Sequence, residues 1–100
     1  MIVVAEGGAA RLEEAENLKG FNLLARYSEG DLDSVGAALA DAGRVGDGHA
    51  WIDEAWLRTA AGPRDAAWKS DFDKMVAFAK SKGWYDEPTR SIRAHIEWAE

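Results

Sequence analysis

The sequence predicts an α+β fold: a small sheet of three to four strands with two to four helices packed mainly on one face. Three observations predict it. Residues 91–98 alternate, with Ile92, Ala94, Ile96 and Trp98 on one side and Arg93, His95 and Glu97 on the other, the period of a half-buried strand. Residues 63–82 instead repeat apolar side chains at helical spacing, through Trp68, Phe72, Met75, Val76 and Ala79. Glycine-bearing breaks separate further short segments of both kinds, the pattern of a sheet with layered helices. At 100 residues the chain has room for one domain, 1–100, with a single modest core.

In chain order, Ile2 to Ala5 reads as a short strand, broken by a turn at Gly7-Gly8. Ala9 to Leu18 reads as a polar helix carried by Leu12, Ala15 and Leu18. Phe21 to Ser28 reads as a strand, with Phe21, Leu23, Ala25 and Tyr27 on one face. Asp31 to Ala42 reads as a helix: Asp31 is a natural N-cap, Leu32, Val35 and Leu39 form the stripe, and Gly43 stops it. Gly46-Asp47-Gly48 is turn chemistry. His49 to Ile52 follows as a strand; from Asp53 either that residue caps a short helix bearing Trp56, Leu57 and Ala60, the preferred reading because Ala60-Ala61-Gly62-Pro63 ends a helix, or the strand runs on to Arg58. Pro63 opens the long helix, which ends at Lys82 before Gly83. Asp86 to Thr89 reads as a loop ahead of the last strand.

Charge narrows the function classes. Eighteen acidic residues against twelve basic ones give a net charge of −6. The basic residues are scattered, so nucleic acid lacks the Lys/Arg footprint it requires. An anionic membrane surface is disfavoured for the same reason. No apolar run approaches a membrane span, and Met1-Ile2-Val3-Val4 has no basic leader, so a cytoplasmic location is expected. The alanine- and glycine-rich composition points by association to a bacterial source. The absence of cysteine removes disulfides, thiolate catalysis and thiolate metal sites. Five tryptophans in so short a chain point to core packing and to subunit contacts, hence a homodimer or a protein partner.

The chemistry available rests on the two histidines. If the strands at 49–52 and 91–98 are neighbours, their polar sides share one face. His49, Trp51 and Asp53 then meet Arg93, His95 and Glu97, with directly opposed side chains about 5 Å apart. The bland outcome is a solvated face with weak cross-strand ion pairs. The chemical outcome is an acid/base site: His95 and His49 move protons, Asp53 or Glu97 orients them, Arg93 holds a carboxylate or enolate, and Trp51 packs on the ligand. A His-x-Glu spacing is too little for a metal site, and no cofactor is expected. The leading expectation is thus a domain that binds a small neutral or carboxylate ligand, in its narrower form a cofactor-free lyase or isomerase. The alternative is a non-catalytic interaction module, a homodimer or an accessory subunit of a larger enzyme.

Overall fold

Seven strands and three helices alternate along the chain, all of whose residues, 1–100, are described in this computed structural model. The strands are β1 (Ile2–Glu6), β2 (Ala9–Glu13), β3 (Asn22–Ala25), β4 (Gly43–Gly46), β5 (His49–Asp53), β6 (Tyr85–Asp86) and β7 (Ser91–Trp98). The helices are α1 (Leu32–Leu39), α2 (Glu54–Ala60) and α3 (Ala66–Lys82), and a single 3-10 turn covers Ala40–Ala42. The strands form one mixed sheet in the order β2-β1-β3-β7-β5-β4, with β6 also paired to β7. β1, β3 and β7 run parallel, and β2, β5 and β6 join them antiparallel. α1 touches β4 at one end of this order and β1 and β2 towards the other, so the sheet curls into a half-barrel and the helix fills its open side.

The expectation of three to four strands is therefore corrected to seven. The extra ones are short strands whose partners, more than their own side chains, define them. Ala9 to Leu18 is not a helix. Gly7 and Gly8 both take positive φ, +60° and +80°, the backbone of a two-residue hairpin turn that folds β2 back on β1. Ala10 and Leu12 then turn inward and Arg11 and Glu13 outward, a period of two that overrides the three-residue spacing of Leu12, Ala15 and Leu18. A second hairpin turn at Asp47-Gly48, again positive at both residues, pairs β4 with β5. Gly43 is thus the first residue of a strand, not merely a helix stop. It lies so close to β5 that an added Cβ would stand 2.0 Å from the Trp51 carbonyl oxygen. The loop expected at Asp86 begins inside β6, which pairs with Ser91 and Ile92.

The remaining helical signals act through their caps. The Asp31 carboxylate accepts the Ser34 amide, that of Asp53 accepts the Ala55 and Trp56 amides, and that of Asp65 accepts the Trp68 amide. Asp65 therefore sets the start of α3, and Pro63 falls outside the helix. One apolar cluster joins the inward side of the sheet to all three helices: Leu23, Ile52 and Ile96 meet Leu39, Leu57 and Phe72. Ser91 is the one buried polar residue, and its hydroxyl reaches Thr89 and Arg44. No helix is long and apolar enough to cross a membrane.

Candidate functional site

β5 and β7 are neighbours, and their register pairs Ala50 with Ala94, Trp51 with Arg93, Ile52 with Ile92 and Asp53 with Ser91. Directly opposed residues share a face, so Trp51 and Arg93 stand together on the side away from the core. Carried one step past the last paired residues, the same register sets His49 across from His95. The His49 ring nitrogen Nδ1 lies 3.1 Å from the Asp47 carbonyl of its own turn. His95 is exposed and pairs in register with Asn22 of β3.

The carboxylates behave differently. Asp53 spends its Oδ1 on two helix amides, at 2.8 and 3.1 Å, and acts as the cap of α2. Glu97 lies one row beyond His95, exposed and opposite Leu24. The structure thus brings Trp51 and Arg93 together and sets the two histidines in the next row. It gives Asp53 to the backbone and leaves Glu97 at the far end of the strand. Trp51 is also covered in part by Arg44, whose guanidinium carbon lies 5.6 Å from the ring centroid. Arg44 reaches on to Asp86 and Thr89. Donation from the Thr89 hydroxyl, then from the Thr89 amide and from Arg44, holds the Asp86 carboxyl below its ordinary range. No three His, Asp or Glu side chains converge in a way that would hold a metal ion.

Neither histidine lines either of the two main clefts, whereas Arg93 lines the first. On one flank, β7 pairs with β3 along His95–Trp98 and with β6 along Ser91–Ile92, leaving a split between those two partners. A groove of about 660 Å³ opens there. α3 lines it with Lys74, Met75, Phe78 and Ala79, Trp84 and Arg93 line it from the β6–β7 side, and residues 16–21 form the facing wall. That wall is held in place from three points. The Met1 amine donates to the Asn17 and Gly20 carbonyls, the Trp68 indole donates to the Ala15 carbonyl at 2.8 Å, and the Asn17 side chain accepts the Lys19 amide. Burial pushes the Met1 amine below its usual pKa.

The groove wall is aromatic and ends in a cation. Phe78 meets Trp84 edge to face, with centroids 5.9 Å apart, and the Arg93 guanidinium carbon lies over the Trp84 ring, 5.6 Å from its centroid. Phe78 is 55% exposed, the one large apolar side chain left so open. It follows Met75 by three residues but lies off the buried stripe of α3. An aromatic on the polar side of that helix was the sequence signal for this site.

A second cleft, of about 400 Å³, is polar. The Tyr85 hydroxyl donates to Glu54 Oε1 at 2.9 Å, and Arg58 donates to Glu54 Oε2 and to Asp73 Oδ1. Burial and that acceptor raise the Tyr85 pKa. The Arg58 guanidinium also lies 4.5 Å from the Phe72 ring, so this network locks α2 onto α3. Comparison with family models, curated proteins and solved structures finds no match to this chain.

Proposed function

We propose that the chain is a small-molecule-binding domain whose ligand sits in the groove between α3, the 16–21 segment and the start of β7. One observation carries this reading: the groove has the volume of a small-molecule site and an apolar, aromatic lining edged by a few charged groups. Its wall is tied to the body of the domain by hydrogen bonds from Met1 and Trp68, so the site exists before a ligand arrives. A preformed site loses less ordering entropy on binding.

The narrower form of the proposal, a cofactor-free lyase or isomerase, draws on a single relation. His95 and Arg93 project from the same face of β7, two residues apart, so an anion held by Arg93 would have an imidazole beside it. Isothermal titration with small aromatic compounds, neutral and acidic, tests both forms. Phe78→Glu is expected to abolish binding while far-UV circular dichroism stays unchanged, because Phe78 is already largely exposed. His95→Ala is expected to leave affinity intact and to remove any turnover. Full binding in Phe78→Glu with loss in His95→Ala would move the site to the outward sheet face.

The interaction-module reading also has a specific observation behind it. Exposed aromatic surface at a groove rim is the kind of anchor that a partner protein buries, and Phe78 is such a residue. Light scattering at high protein concentration separates the readings, since self-association suppressed by Phe78→Glu would favour this one.

A further inference from the structure

The partners of the arginines bear on the chemistry of the groove. In an acidic chain nearly every guanidinium finds an acceptor. Arg11, Arg26, Arg44 and Arg58 meet carboxylates, Arg64 donates to the Ala61 carbonyl, and Arg90 has the Glu54 and Glu87 charges near it. Arg93, the one arginine lining the groove, has no side-chain hydrogen bond or ion pair. It is half-buried, with its guanidinium carbon 5.6 Å from the Trp84 ring centroid and Trp51 of β5 opposite it.

A ring offers a guanidinium no hydrogen-bond acceptor, so the N–H donors of Arg93 remain available to grip a carboxylate in a two-pronged fashion. The charges around the groove agree. Lys19, Lys74 and Arg93 line it against Glu16 and Asp71, three positive against two negative, on a molecule whose net charge is −6. That is a locally cationic site with room for one negative charge. A dianion would bring more negative charge than the lining's surplus of one positive charge balances.

Resting on the groove reading above, we infer that the ligand is an amphipathic monocarboxylate. Its aryl or alkyl body lies on Met75, Phe78 and Trp84, and its carboxylate is held by the free edge of Arg93. Neutral molecules of the same shape fit the apolar wall but leave Arg93 unpaired. Cationic ones place like charge against it.

Three probes of equal length test this: 4-phenylbutyrate, 4-phenylbutan-1-ol and 4-phenylbutylamine, titrated into the full chain and followed by amide NMR and calorimetry. The acid is expected to bind about ten- to a hundredfold more tightly than the alcohol, the advantage of a charge-assisted contact. The amine is expected to bind weakest. Arg93→Met is expected to bring the acid down to the alcohol's affinity without changing the alcohol. Arg93→Lys, which keeps charge but loses the fork, is expected to fall between. Lys82→Met removes the same charge from the far side of Phe78 and is expected to preserve the order of affinities. Acid and alcohol binding equally to the groove would overturn the carboxylate assignment and leave the groove standing. Equal loss of both probes in a folded Arg93→Met would do the same. If none of the three perturbs residues 16–21, Phe78 or Trp84, the groove reading fails and this inference with it.

Discussion

Replacing Gly43 by alanine tests the sheet where its register is tightest. The new Cβ would stand 2.0 Å from the Trp51 carbonyl oxygen and 3.0 Å from the Ile52 Cα, and both obstacles are backbone. Restoring ordinary contact requires β4 and β5 to part by about 1.4 Å, enough to break hydrogen bonds at that end of the ladder. Lost bonds and residual overpacking together cost about 2–4 kcal/mol. For a domain of this size that lowers the melting temperature by about 10 °C or more. Gly36→Ala is the matched control. It lies inside α1, and its Cβ would meet only a Val45 methyl at 4.0 Å, an ordinary contact. It is expected to stabilise by about 0.5–1 kcal/mol through helix propensity. Urea unfolding of the two variants reads both effects. A Gly43→Ala protein as stable as the parent would refute the β4–β5 pairing and with it the placement of Arg44 over Trp51.

Other consequences follow from the packing and the caps. Phe72→Ala removes a fully buried ring that stacks on Trp68 at 5.1 Å and lies under Arg58. A loss of about 3–5 kcal/mol in chemical denaturation is expected, a large share of a small domain's stability. The Ser34 hydroxyl and amide hold the Asp31 carboxyl below its ordinary pKa. Its contribution is therefore present above the unfolded carboxylate value and lost as pH falls through the lower folded one. Asp31→Asn keeps a good cap without the titration, so its stability curve between pH 5 and pH 2 should be flatter than the parent's. Tyr85 has the opposite sense: with its phenol pKa raised, stability is full below the unfolded value near 10 and declines above it. Tyr85→Phe should remove that alkaline slope, as followed by circular dichroism between pH 9 and pH 11.5.

How much of this fold a sequence can reveal depends on where each element's information resides. β7, β5 and α3 carry it in their own side chains, as alternation at 91–98 and 49–52 and as a helical stripe at 68–79. Asp31 and Asp53 announce their helices because a side-chain acceptor is needed where amides have no partner. β2, β4 and β6 carry little. Gly43-Arg44-Val45-Gly46 has one apolar side chain, and it is a strand because the Asp47-Gly48 turn delivers it to β5. Tyr85-Asp86 is a strand only through its contact with β7. Tertiary pairing is the deciding term in both, and it lies outside any local window.

The site divides in the same way. Alternation alone placed Trp51 and Arg93 on one face, and the register confirms their contact row. Asp53 had two available roles, cap and catalytic carboxylate, and the backbone amides claim it. The groove was not legible as a whole, because Leu18, Phe21, Phe78 and Trp84 come from separate segments that only the split beside β7 assembles. Of the groove's lining, Arg93 was the member singled out for chemistry from the sequence, and Phe78, off the buried stripe of its helix, was passed over.

Fluorine NMR of protein labelled with 5-fluorotryptophan distinguishes a ligand in the groove from one on the outward sheet face. Trp84 reports on the groove and Trp51 on the face that carries His49 and His95. On titration with 4-phenylbutyrate, a saturable shift of the Trp84 resonance is expected, with Trp51 unmoved. A shift of Trp51 with Trp84 silent would contradict the groove reading.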